Sequence, residues 1–380
     1  MPYQSVDKVQ KVLEENVFHY AKDSKKAAGR ALGTLVEIIN FYLLKSWGFN
    51  DSVSIERGLA EYGNSEITHN VEYSLHPIVD KHLVEIEEDG KSITANRLLS
   101  KLLEQGVSIQ GFNKTSNSLI SKENVLRNAC TVASFDKSYL IASFEERTRH
   151  ANFINLVQQF QKPYAIFECK RVGVEEGMKK GPQTIEKAKQ GAYVARTVSS
   201  LQKIRAENGD LHGLIYRSNN SIYIKPYAEL VEEVVFSNDS ELLRRFVLTV
   251  GMVSNHGNWF TAENQNKELK VLGQSYDWLI FLTDSGLSEF IETLILAPVQ
   301  RYKAVQDAFM ASYTGEKTKT QFTKVQMSFE ADIALQKFFN ENLEKTEKWF
   351  NIISPNGKTL ADLKQQLEEL KRKNWSEILK

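Results

Sequence analysis

The run Tyr164-Ala165-Ile166-Phe167 leads without a break into Glu168-Cys169-Lys170-Arg171, and this junction constrains the fold more than any other segment. Four successive apolar residues do not alternate, so both faces of a strand there are covered, which requires a central strand of a sheet with layers on either side. A buried strand that ends in charge usually ends at a site. Residues two apart on a strand share a face, so Glu168 and Lys170 project together while Cys169 points the other way. A carboxylate holds a hard divalent cation. An ammonium beside it orients or helps deprotonate an attacking water and stabilises developing charge, the pairing that metal-assisted phosphodiester hydrolysis needs. Magnesium is the natural ion. A solvated charged face produces the same tripeptide in a chain that is 25% charged. The apolar run before it is what favours a site.

Around this strand the pattern is mixed. Helical spacing from Val6 to Trp47, through Leu13, Leu32, Leu35, Ile38 and Ile39, predicts two helices with a break near Asp23-Ser24. Ser54-Ile55-Glu56 reads as the opening of a short helix, and Ile67 to Leu75 alternates as a half-buried strand closed by His76-Pro77. Leu98 to Glu104 reads as helix, Ser108 to Ser121 as a surface loop, Tyr139 to Ala142 as strand, and Asn152 to Phe160 as helix. A long helix is expected from Gln183 to Ile204, a strand pair at Leu211–Tyr216 and Ser221–Ile224, a helix from Leu242 to Val253 and a strand at Trp278–Leu282. From Glu289 the chain turns helical, and the three-four-three spacing of Leu360, Leu363, Leu367 and Leu370 marks either a helix docked on its own domain or a short coiled coil between chains. The expected class is α/β: a mixed central β-sheet flanked by helices, with a mostly helical N-terminal region (1–64), a core (65–285) and a helical C-terminal region (286–380).

Charge and composition narrow the chemistry. Lys plus Arg and Asp plus Glu number 48 each, which excludes capture of nucleic acid by overall charge and turns attention to local patches. One stands out: Glu168 to Arg205 holds nine Lys or Arg against four Glu, a phosphate-friendly segment or an ordinary charged helix face. Arg171, Lys179, Lys180, Lys187, Lys189 and Arg196 are its candidate DNA contacts. The two cysteines, Cys130 and Cys169, form no framework and no zinc motif. No His-x-x-x-His spacing, Walker loop, dinucleotide fingerprint or nucleophile elbow occurs, so zinc hydrolysis, nucleotide-driven work and serine catalysis are not expected. The start lacks the pattern of a secretory signal, and the reading is a cytoplasmic chain without a membrane span. Ser254-Asn-His-Gly-Asn-Trp259-Phe260 is either an Asn/Gly-rich turn or a base-reading loop.

The apolar strand ending in Glu168-x-Lys170, the basic loop after it and the helical stretch carrying Gln183, Gln190 and Tyr193 resemble the PD-(D/E)xK nuclease superfamily. Within it, the likeness is to the type II restriction endonucleases, over Pro163 to Gln202. The resemblance implies a restriction-endonuclease-like core and Mg²⁺-dependent cleavage of double-stranded DNA at a specific short sequence. It also implies a homodimer and no nucleotide cofactor. It assigns Glu168 to the metal and Lys170 to the attacking water, places Gln190 at the border of the site, and demands an upstream acid on a neighbouring strand. No Pro-Asp stands in the expected interval. Asp136, just before the strand Tyr139 to Ala142, is the leading candidate for that second metal ligand, followed by Glu145 or Glu146 and then by Glu72 inside the alternating strand. The alternatives are a structure-specific repair or recombination nuclease and a non-catalytic DNA-binding protein with a nuclease-like core. If the basic segment neutralises six or more phosphates, affinity for DNA falls about a thousandfold between about 50 and 200 mM salt. Binding that stays constant over that range in a filter or anisotropy assay contradicts the phosphate patch.

Overall fold

The computed structural model describes residues 6–59, 70–172, 201–255, 273–313 and 320–380. Its contacts gather into two compact units, one of Met1–Ile55, His76–Lys162 and Ser285–Glu347, the other of Glu56–Leu75, Pro163–Asp284 and Lys348–Lys380. The units are interleaved, whereas the sequence pattern suggested three consecutive regions at 1–64, 65–285 and 286–380. The α/β class holds. Strand pairing joins residues far apart in the chain, and composition along the chain carries no mark of it.

In the first unit the helices Val6–Asn16 and Ser24–Leu44 flank the expected break, and Asp23 caps the second by accepting from the Lys26 backbone N–H at 2.9 Å. The stretch Ser24–Phe49 has the length and mean hydropathy of a bilayer span, but 67% of its most apolar 18-residue window is buried inside the protein, as in a core helix. An antiparallel sheet runs in the order Ile78–Glu87, Ala151–Phe160, Ser138–Arg147, Cys130–Phe135, Asn113–Lys114. Helix Ala95–Glu104 lays Leu98 and Leu102 into a core with Val84, Ile86, Leu140, Ile154 and Leu156.

Residues 151–160 are a strand, contrary to the helix expected at Asn152–Phe160. The strand is paired on both edges and buried on both faces, so Phe153, Ile154, Leu156 and Val157 lose the alternation that marks a half-buried strand and imitate helical spacing. Ser54–Glu56 likewise belongs to a strand, Val53–Gly58.

The second unit is built on a six-stranded mixed sheet in the order Val53–Gly58, Asn70–Leu75, Ala165–Val172, Leu248–Asn255, Trp278–Leu282, Phe350–Ser354. Ala165–Val172 runs antiparallel to Asn70–Leu75 and parallel to Leu248–Asn255, which in turn is parallel to Trp278–Leu282. The apolar lead-in to Glu168 is therefore a central strand, with Ala165, Ile166 and Phe167 fully buried. The expected helix Leu242–Val253 is divided: Asp239 caps a short helix Ser240–Arg245, and the β-branched run after Phe246 enters the sheet. A smaller sheet of Gln202–Arg205, Leu211–Tyr216 and Ile222–Pro226 matches the expected strand pair and is followed by helix Tyr227–Phe236. Most of the long helix expected at Gln183–Ile204 lies outside the described residues, and its last positions are strand.

The leucine seam is satisfied at home. Helix Leu360–Arg372 starts at a Thr359/Asp362 capping box and buries Leu363, Leu367 and Leu370 completely. It packs against helix Tyr227–Phe236, and its Gln366 accepts from the Trp278 indole N–H at 2.9 Å. Leu367→Ala is expected to cost about 2–5 kcal/mol in urea unfolding and to leave the oligomeric state unchanged by light scattering. A changed oligomer with unchanged stability contradicts this packing.

Candidate functional site

The strands Asn70–Leu75 and Ala165–Val172 are hydrogen-bonded over three rungs, Leu75 to Ala165, Ser74 to Ile166 and Tyr73 to Phe167. Beyond the last rung the pairing ends. The next residue on one strand is Glu72 and on the other Glu168. Each stands one step past Tyr73 and Phe167, so alternation turns both to the opposite side of the sheet from those rings. Both side chains are buried, at 8% and 1% exposure, with Glu72 Oε1 and Glu168 Oε2 sealed from solvent. On the other edge of Ala165–Val172, Glu168 is level with Gly251 and Lys170 with Val253.

A second layer of residues surrounds this strand pair. A Cβ at Gly251 would lie 2.5 Å from the Tyr276 ring, so the ring occupies the space above the glycine. Burial, then the charge of Glu168 and of Cys169, hold the Tyr276 hydroxyl protonated well above the usual phenol range. Asp277 Oδ2 accepts from the Thr249 N–H at 2.8 Å and from its hydroxyl at 2.9 Å, and the Asp277 N–H donates to Thr249 Oγ1 at 2.9 Å. Asp277 Oδ1 accepts from the Tyr227 hydroxyl. Lys203 donates to the backbone carbonyl of Tyr276 and, at 3.3 Å, to that of Gly273, with its ammonium 4.4 Å from the centre of the Tyr227 ring. Lys203, Tyr227, Thr249 and Asp277 line a cleft of about 250 Å³ that neither carboxylate enters.

The sequence-derived candidates are spread unevenly over this arrangement. Glu168, Lys170 and Glu72 lie on neighbouring strands of one sheet. Asp136 lies in the first unit, at φ +43° in the two-residue turn between Cys130–Phe135 and Ser138–Arg147, where an Asp tolerates the left-handed backbone. Its strand is not a neighbour of Ala165–Val172. Glu145 and Glu146 are in strand Ser138–Arg147, not at the start of a helix, and Glu145 accepts from Asn155 Nδ2 at 2.5 Å. Arg171 closes the Glu168 strand as its penultimate residue. Lys179, Lys180, Lys187, Lys189, Gln190 and Arg196 lie outside the described residues, as does most of the Ser254–Phe260 stretch. Of the basic segment's remaining members, Lys203 is engaged by carbonyls and Arg205 donates to the Gly209 carbonyl at 2.7 Å. Sequence reasoning passed over Gly251, Tyr276, Asp277 and Thr249. Their one signal was Tyr276-Asp277 standing immediately before the buried strand Trp278–Leu282.

Carboxylate oxygens, the donors Glu72 and Glu168 supply, suit a hard divalent cation. Magnesium keeps several waters and is held by one or two carboxylates together with substrate phosphate. No group of three or more His, Cys, Asp or Glu side chains converges at metal distance among the described residues. Comparison with known proteins finds no matching family model, no similar curated protein and no similar solved structure.

Burial, then the Asp277 charge and hydrogen bond, raise the Tyr227 hydroxyl well above its ordinary value. The folded chain thus retains a proton that the unfolded chain releases near pH 10, so this stabilisation is complete below about pH 10 and is lost as the pH rises beyond it. Melting temperature is expected to fall above about pH 10, and to fall less in Tyr227→Phe. An identical alkaline decline in the variant contradicts the assignment.

Proposed function

We propose that the chain is a Mg²⁺-dependent type II restriction endonuclease that hydrolyses phosphodiester bonds of double-stranded DNA at a short specific sequence. The observation that carries the reading is the burial of Glu72 and Glu168, each the next residue after the last paired rung of two adjacent strands, with Lys170 two residues beyond Glu168. Glu72 takes the place first expected of Asp136, because its strand adjoins Ala165–Val172 and the Asp136 turn belongs to a different sheet.

In this reading Glu72 and Glu168 would hold Mg²⁺, which when bound supplies Lewis-acid polarisation of the scissile phosphate. Lys170 orients the attacking water and offsets the negative charge that grows on the phosphate as the bond to the leaving oxygen breaks. Arg171 and the basic segment after it attract the DNA backbone without reading sequence. Double-stranded DNA is the proposed partner, and a homodimer is the proposed assembly on a two-fold-symmetric site. The proposed setting is the cytoplasm, supported by two free, buried cysteines, one of which, Cys130, is pushed up to about 12 by burial.

Cleavage of a defined plasmid tests the reading. The parent is expected to give discrete fragments in Mg²⁺ and none in chelator. Glu72→Ala and Glu168→Ala should abolish cutting, Lys170→Ala should slow it by about a hundred- to a thousandfold at nearly unchanged DNA affinity, and Asp136→Ala should cut like the parent. A smear, or cutting only at branched DNA, supports a structure-specific nuclease. Binding without cutting supports a non-catalytic protein. Loss of cutting in Asp136→Ala with retention in Glu72→Ala reverses the choice of acid.

A further inference from the structure

Tyr276 has no part in the proposed chemistry, yet the fold presses it against the Glu168 strand. Gly251 stands level with Glu168 in the parallel register, and the Tyr276 ring fills the notch that the missing Cβ leaves. The ring is 2% exposed, and the backbone on either side of it is tied down. Lys203 grips the Tyr276 carbonyl, and Asp277, the next residue, is locked to Thr249 on the strand that carries Gly251. A side chain so anchored cannot swing aside at little cost. The Glu168 carboxylate therefore has an aromatic wall on its Leu248–Asn255 side and the strand of Glu72 on the other.

From this juxtaposition we infer that Tyr276 is a positioning residue: its ring, seated over Gly251, closes one side of the Glu168 carboxylate and directs it toward Glu72. The inference rests on the metal-site reading above and adds to it the group that makes the two carboxylates converge. The shape of the ring performs this task and its hydroxyl does not, so the conservative variant separates the two. A wall of fixed position raises affinity for the ion by removing the rotamers in which Glu168 faces away.

The test is Mg²⁺ binding to the full-length chain by calorimetry, with circular dichroism and melting as the check on folding. Tyr276→Ala is expected to lose about ten- to a hundredfold in affinity, while Tyr276→Phe stays within about twofold of the parent. Gly251→Ala, which forces the ring out of its notch, should resemble Tyr276→Ala, and Tyr276→Leu replaces the alanine variant if that fails to fold. A folded Tyr276→Ala with parental affinity overturns the inference, as does a Tyr276→Phe as weak as the alanine. Glu168→Gln separates the two levels of the argument. If it binds Mg²⁺ as the parent does, the metal site itself is wrong and the inference falls with it. If only Glu168→Gln binds weakly and the Tyr276 and Gly251 variants do not, the metal site stands and the positioning role is rejected.

Discussion

The second unit depends on the register of Ala165–Val172 between its two neighbours, Asn70–Leu75 and Leu248–Asn255. The pairing of that strand with Asn70–Leu75 runs over three rungs that end at Tyr73 and Phe167, and the next residues along the two strands are the buried Glu72 and Glu168.

The remainder of the sheet holds the same register. Three strands, Ala165–Val172, Leu248–Asn255 and Trp278–Leu282, run parallel, so the side chains of each rung line up on one face. Thr249 and Asp277 bond to each other through both backbone and side chain, which fixes the register of the second strand against the third. Gly251 and Tyr276 depend on that register. A slip of one residue would send the ring to the other face and put a side chain where the glycine now stands. Glycine is required at 251 because a neighbour needs the volume, not because the backbone is strained.

The parts of the fold legible in the sequence were those set by local pattern. Trp278–Leu282 was readable as a buried strand because all five residues are apolar, and the two N-terminal helices because their spacing is unbroken up to Asp23. Ala151–Phe160 was misread because a strand buried on both faces has no alternation to show. The acid was the hardest case. Asp136 led as the acid just before the strand Tyr139 to Ala142, although 32 positions separate it from Glu168, whereas Glu72 lies 96 positions before Glu168, with His76–Lys162 of the first unit between them. The long insertion between two paired strands leaves no local mark in the sequence of which strand adjoins Ala165–Val172. Tyr276 was invisible for a similar reason: its importance lies in a glycine 25 positions earlier, on another strand.

The most direct measurement is the anomalous difference map of crystals of the full-length chain grown or soaked in Mn²⁺. The account predicts a peak about 2.0–2.5 Å from a carboxylate oxygen of both Glu72 and Glu168, with waters completing the shell. A peak held by Asp136, Glu145 or Glu146, or by one of the two strand acids without the other, would contradict it.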